Sequence, residues 1–221
     1  EIVTATQAMG QGIATSYAQL AVDAFGVPIE RIRIVQGDTD RANGFGSAGS
    51  RSLFTGGSAV EGGARKTIDR ARELAAEALE VPPDDLEYRE ARFTVVGTDR
   101  SIGLFELAAR QPGNAIDVES STTVGGPTWP NGCHVCEVEI DPETGEVQVV
   151  GYAAVDDVGT VVHPVIVEGQ VQGGVTQGLG QALGERLDYS DDGQLLTASL
   201  MDYPLLRADD LPTMRLGHHE V

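Results

Sequence analysis

The sequence predicts an α+β fold in which mixed strands pack against several helices. Three observations carry this expectation. Within residues 59–79, Ile68, Ala71, Leu74, Ala75 and Ala78 recur at three- and four-residue steps, the spacing of one buried helical stripe. "RIRIV" (31–35) and "HVCEVEI" (134–140) alternate apolar and polar residues instead, the period of a half-buried strand. No run of about 18 apolar residues occurs, so no membrane-spanning helix is expected.

Residues 1–6 read as a strand, broken by the turn Gly10-Gln11-Gly12. A helix is predicted over Ala14–Ala24, with Gly26 just past its end and Pro28 beyond. The strand at 31–35 runs into "GDTDRANGFGSAGSRS" (37–52), a polar, glycine-rich loop; loops of that length without structure of their own are usually functional or disordered. After the helix at 59–79, "VPPDD" stops the chain. "LEYREARFTVV" and "GTDRSI" predict a short hairpin and a turn, followed by a small helix at Leu104–Ala109 and a connector over 110–132. Two strands are predicted around "DPETGE" (141–146), whose Pro142 and Gly145 suit a turn.

The segment 165–187, "VIVEGQVQGGVTQGLGQALGERL", is unusual for a helix. Its glycines fall in pairs four apart (Gly169/Gly173, Gly174/Gly178, Gly180/Gly184), and each costs about 1 kcal/mol against alanine inside a helix. Either close backbone packing or close approach of a ligand accounts for such a cost. Packing explains the paired spacing and puts this helix in a crowded centre; it leaves the interleaved Gln170, Gln172, Gln177 and Gln181 unexplained.

At 221 residues the chain fits one large domain or two small ones, with ample length for a core, and residues 1–221 are taken as one domain. It opens on Glu1, inside a predicted strand and without a basic, apolar leader, as a piece of a longer polypeptide would. The net charge of −19 argues against nucleic acid, which needs clustered Lys and Arg. Lys66 is the single lysine, which fits either a salt-adapted source or a codon bias towards arginine. Cys133 and Cys136 form a lone CxxC in an alternating segment, read as packed strand residues rather than half a metal site; a reduced, cytoplasmic setting follows. His218, His219 and Glu220 cluster near the terminus, where a free end usually frays.

Three glycine-rich polar segments remain: "MGQGIAT", "GSAGSRS" and "DDVGTVVHPVIVEGQ" with "TQGLG" beyond it. They offer backbone N–H groups, amides and hydroxyls, with almost no acid or base among them. The first runs a flexible turn into a helix start, where exposed N–H groups favour an anion. By itself that turn is more often a glycine break before an ordinary helix. Together the segments suit an extended, anionic, many-acceptor ligand held by hydrogen bonds. Arg51 is the one cation within such a loop and suits bidentate pairing with a phosphate.

These segments resemble the second molybdenum-cofactor-binding domain of the xanthine dehydrogenase/aldehyde oxidase/carbon monoxide dehydrogenase large subunits, almost end to end. "GQG" with Thr15 and Gln19 resembles the family's GQG-x-x-T-x-x-x-Q, and "GDT" followed by "GSRS" resembles its second loop. "VDDVGTVVHPVIVEGQVQGGVTQGLGQAL" and "LMDYPLLRADDLP" resemble its later signature. The resemblance implies molybdopterin with molybdenum, in the cytosine dinucleotide form. Gly10, Gln11, Gly12 and Thr15 would meet the pterin or its neighbouring phosphate, and Gly49, Ser50, Arg51 and Ser52 would line the same cofactor. Asp157, Gly159, Thr160, His163 and Gln170 would face the nucleotide end, with Gln177 nearer the pterin. It also implies an iron–sulfur small subunit, an FAD-binding medium subunit, the remainder of the large subunit, and a dimer of heterotrimers when complete.

The family often has a proline near Asn43 and a threonine at Ser47; a hydrogen-bonding loop survives both changes. The family's base, a glutamate in a G-x-K-G-x-G-E segment, has no counterpart in these residues, nor does the upstream half of the cleft. The expected function is thus the cofactor-binding part of a molybdenum-dependent oxidoreductase, inactive by itself. The alternatives are a non-catalytic cofactor-binding module and a structural α+β domain whose glycines serve packing only.

Overall fold

Residues 1–220 are described by a computed structural model, and the chain divides into two compact units, Glu1–Pro127 and Thr128–Val221. Each mixes helices with sheet, the α+β class expected.

The first unit begins with β1 (Ile2–Thr4), α1 (Ile13–Phe25) and β2 (Ile34–Gln36), and the two strands pair in parallel. β2 starts later than "RIRIV" predicts because Ile29–Arg31 closes a 3-10 turn, with Arg31 N–H donating to the Pro28 carbonyl at 2.9 Å. A π-helical turn over Ser52–Gly57 feeds α2 (Ser58–Leu79), so the end of the long loop is helical. The predicted hairpin and turn form three antiparallel strands in the order β3 (Leu86–Arg89), β4 (Arg92–Val95) and β5 (Ser101–Gly103), followed by α3 (Leu104–Ala109).

Two apolar clusters hold this unit. In the larger, Ala71, Ala75 and Ala76 of α2 face Leu86, Phe93, Val95, Ile102, Leu104 and Leu107. Alanines on the helix face let the backbone approach the sheet, and truncating a buried aromatic such as Phe93 costs about 3–5 kcal/mol. Tyr88 packs against the same cluster and donates its phenol to the Phe25 carbonyl at 2.9 Å; burial pushes its pKa up to about 12. The smaller cluster joins α1 to α2 through Ile13, Tyr17 and Val60, with Leu20 and Leu53 against it.

The second unit is a sheet ordered β6 (Asn131–Ile140), β7 (Val147–Asp157), β8 (Met214–His218), with α4 (Pro164–Leu183) between β7 and β8 in the chain. β6 and β7 are antiparallel, with an irregularity at Glu137/Val138; β7 and β8 are parallel. β8 departs from the sequence expectation: His218 does not fray but pairs with Asp156, and His219 N–H donates to the Asp156 carbonyl at 3.0 Å. The cue was the short alternation Met214, Leu216, which five residues make too weak to recognise.

This unit buries little. Among the described residues its buried apolar side chains are Val149 and Ala154 alone. Every residue of β6 is exposed, Cys133 and Cys136 included, which corrects the expectation that these cysteines are packed. β6 is an edge strand of its sheet and is exposed along its whole length. The glycine-rich helix is likewise not crowded: a Cβ built at Gly169, Gly173, Gly174 or Gly178 meets no atom within 4 Å, whereas one at Gly180 meets the Glu185 carboxylate at 2.5 Å. Packing within the described residues therefore does not account for the first four glycines.

Candidate functional site

Parallel pairing of β1 and β2 sends the chain out of both strands at the same, carboxyl end. The loop after β1 (residues 7–12) and the loop after β2 (37–52) thus begin as neighbours, the position where open parallel sheets receive ligands. Ser47 ties them together. Its Oγ accepts the Gln7 N–H at 2.9 Å and donates to the Gln7 carbonyl at 3.0 Å. At its other end the second loop is fixed by Arg41, which donates to the Glu1 carboxylate at 2.5 Å and holds its pKa below the usual range.

Gln11 shapes the first loop. Its Oε1 accepts the Met9 N–H at 2.6 Å and its Nε2 donates to the Gln7 carbonyl at 2.9 Å, leaving one amide hydrogen and one lone pair for a ligand. Gly10 has φ 99° with open space around it. Gly12, at φ 75°, is the N-cap of α1 and supplies no side-chain cap. Its carbonyl accepts from Thr15 and Ser16 N–H, so the N–H groups of Ile13 and Ala14 lack intrahelical partners. Thr15 is exposed on this first turn.

A buried node lies beneath. The Tyr17 phenol meets Thr6 Oγ1 at 2.8 Å and donates to the Ser52 carbonyl at 2.7 Å, linking α1 to the start of the π-helical turn that precedes α2. Burial raises the Tyr17 pKa, with the Thr6 hydrogen bond opposing. Gly56 is required there, since a Cβ would sit 2.0 Å from the Tyr17 oxygen. Above the node, Gly49 and Ser50 both have positive φ, 63° and 55°. For serine that conformation is uncommon and costs energy, the kind of strain that concentrates at functional sites. Arg51 follows, exposed, its guanidinium carbon 4.1 Å from the Phe45 ring centroid. No carboxylate among the described residues pairs with it.

In the second unit, Asp157 Oδ1 accepts the Gly159 N–H at 2.9 Å and closes a turn in which Gly159 has φ 71°. Thr160 is exposed, and His163 is the N-cap of α4, where it makes no side-chain cap hydrogen bond. His163 Nδ1 is buried and unpartnered among the described residues. Gln170 and Gln177 are exposed on α4, seven residues or about two turns apart, on the side that also carries Gly173 and Gly174.

Comparison with known proteins decides what these loops belong to. The family described as "Molybdopterin cofactor-binding domain" matches residues 1–212. The chain belongs to that family. Among relatives, the carbon monoxide dehydrogenase large chain of Hydrogenophaga pseudoflava is 38% identical over 222 residues, covering 96% of this chain and 28% of its own length. The 6-hydroxypseudooxynicotine dehydrogenase complex subunit gamma of Paenarthrobacter nicotinovorans is 36% identical over 225 residues, covering 96% and 28%. The solved structure of the Cu,Mo-CO dehydrogenase in its carbon monoxide-reduced state superposes with a TM-score of 0.85 at 35% identity, over 99% of this chain and 29% of the other. The chain therefore spans somewhat more than a quarter of the length of the relatives it matches.

The residues fit a molybdopterin cofactor. In the first unit, two unobstructed positive-φ glycines at 10 and 49 and a helix start without a side-chain cap offer backbone donors; in the second, the buried His163 Nδ1 has no partner among the described residues. By contrast, a concavity of about 530 Å³ at the end of α2 is lined by Glu73, Glu77 and Glu80, a charge that repels such an anion. The sequence reading overlooked Ser47 and Tyr17 as supports. Their partners are backbone groups or residues far along the chain, and no local pattern marks them. Among the described residues no helix is long and apolar enough to cross a membrane.

Proposed function

We propose that this chain is the cofactor-binding part of a molybdenum hydroxylase large subunit and holds molybdopterin in its cytosine dinucleotide form. The observation that carries the reading is the Ser47–Gln7 tie, which sets the uncapped start of α1 beside the Gly49–Ser52 turn. In the first unit, Gly10, Gly12 and Thr15 supply donors to the pterin and its phosphate, and Gly49, Ser50, Arg51 and Ser52 line the same group. Gln11 acts chiefly by fixing the loop, with one remaining hydrogen and lone pair toward the ligand. In the second unit, Asp157 holds the Gly159–Thr160 turn, His163 offers its unpartnered nitrogen, and Gln170 and Gln177 offer amides to the nucleotide and the pterin.

When bound, the cofactor supplies two-electron oxidation of a substrate carbon with oxygen derived from water. This chain's residues bind and orient it. Asp157, the one carboxylate in the set, is committed to the Gly159 N–H. We assign the base to another part of the large subunit, so this chain alone is inactive. The reading extends to an iron–sulfur small subunit, an FAD-binding medium subunit, a dimer of heterotrimers and a cytoplasmic location. Native protein analysed for molybdenum, phosphate and released cytidine nucleotide should contain all three in fixed ratio. Folded native protein with no molybdenum would overturn the proposal.

A further inference from the structure

The chain has 34 acidic and 15 basic residues, and among the described residues Arg33, Arg41, Arg65, Arg70, Arg89, Arg110 and Arg186 lie within 4 Å of a carboxylate, whereas Arg51 does not. Arg41, Arg65, Arg70, Arg110 and Arg186 each meet a carboxylate within 2.6 Å, or closer. Arg51 instead lies over the ring of Phe45 at 4.1 Å, the closest of three such contacts among the described residues; the other two are at 5.6 Å. Phe45 is itself 78% exposed, so its ring contributes little to a core. Both residues belong to the second glycine-rich loop, which Ser47, between them in sequence, fastens to the first.

A guanidinium stacked on an aromatic face keeps its edge N–H groups available while losing much of its rotational freedom. That geometry suits bidentate pairing with a phosphate, which needs a planar fork already in place. We infer that Phe45 is a positioning residue: it holds the Arg51 guanidinium plane for a phosphate of the dinucleotide and keeps it from the chain's many carboxylates. The inference rests on the cofactor reading above and concerns one residue that reading does not use.

The test uses native protein carrying Phe45→Leu, Phe45→Tyr, Arg51→Lys or Arg51→Ala, with nucleotide phosphate retained per chain followed through dialysis at low and raised salt. Leucine keeps apolar bulk without a ring; tyrosine keeps the ring; lysine keeps the charge without the planar fork. Phe45→Leu and Arg51→Lys should lose the phosphate about two- to fivefold faster than the parent, as expected for an exposed cation–π contact. Phe45→Tyr should match the parent, and Arg51→Ala should lose it fastest. Thermal midpoints should stay together, because the ring is mostly in solvent. Retention by Phe45→Leu at the parental rate while Arg51→Ala loses phosphate would overturn the role of Phe45 and leave the cofactor reading standing. Equal losses in Phe45→Leu and Phe45→Tyr, with lowered midpoints, would also overturn it by making the ring structural. Parent protein without nucleotide phosphate would overturn both.

Discussion

Ser47 grips the backbone of Gln7 from both sides, accepting its N–H at 2.9 Å and donating to its carbonyl at 3.0 Å. The two bonds cross 40 positions of sequence and join two glycine-rich loops that nothing in their own composition would align. Ser47→Ala should lower stability by roughly 1 kcal/mol, a typical net loss where water can take over part of the bonding. It should reduce cofactor content more sharply than it lowers the thermal midpoint. Ser47→Thr should retain both. A parental molybdenum content in Ser47→Ala would mean that the tie does not set the loops for binding.

Gly56 and Tyr17 form a second coupled pair. Gly56→Ala drives a methyl into the space of the Tyr17 oxygen and should cost about 1–3 kcal/mol. Tyr17→Phe removes that oxygen but leaves the Ser52 carbonyl and Thr6 hydroxyl without it. The double variant should therefore be less destabilised than the sum of the singles, measured by urea denaturation. Strict additivity would show that Tyr17 moves aside freely.

Stability should respond to alkali through Tyr88. Its folded pKa, about 12, exceeds the ordinary value of 10.0 because burial opposes the phenolate. Below pH 10 both folded and unfolded chains hold the proton, and this group adds no slope. Between about pH 10 and 12 the unfolded chain releases it first, so the unfolded state binds fewer protons and stability falls with rising pH. Tyr17, raised for the same cause, acts in the same direction. Tyr88→Phe should flatten the urea midpoint over that interval; an unchanged slope would assign the alkaline loss elsewhere.

The open side of α4 gives a prediction of opposite sign to ordinary core mutagenesis. Gly174→Ala puts a methyl where no neighbouring element lies within 4 Å among the described residues, and should make the helix more stable by about 1 kcal/mol. In the cofactor-loaded protein the same change should lower molybdenum content, if the glycine is kept for close approach of a ligand. A lowered thermal midpoint of the chain by itself would restore the crowded-helix expectation.

Legibility in the sequence followed the reach of the interactions. α2 and α3 were readable because their apolar spacing is local, and the β6–β7 pair because Pro142 and Gly145 mark the turn between alternating runs. The three segments proposed to bind the cofactor stand out in the sequence as glycine, amide and hydroxyl clusters. β8 was not, because its pairing with β7 depends on residues far away in the chain. Nor was the exposure of Cys133 and Cys136: alternation announces a strand but is silent on whether another layer covers it. Tyr17 looked like one more apolar residue on a helix face, and only its hydroxyl contacts reveal the node.

The parallel pairing of β7 and β8 also sets an order of events. Tyr152 and Met214 are register partners, 62 positions apart, whereas β6 and β7 meet across a turn of six residues, 141–146. The hairpin can close within microseconds, but the third strand must wait for α4 and the long return segment to be synthesised and threaded back. During that interval both edges of the hairpin carry unpaired backbone groups, and this newborn intermediate is where a ribosome-associated chaperone would have most to protect.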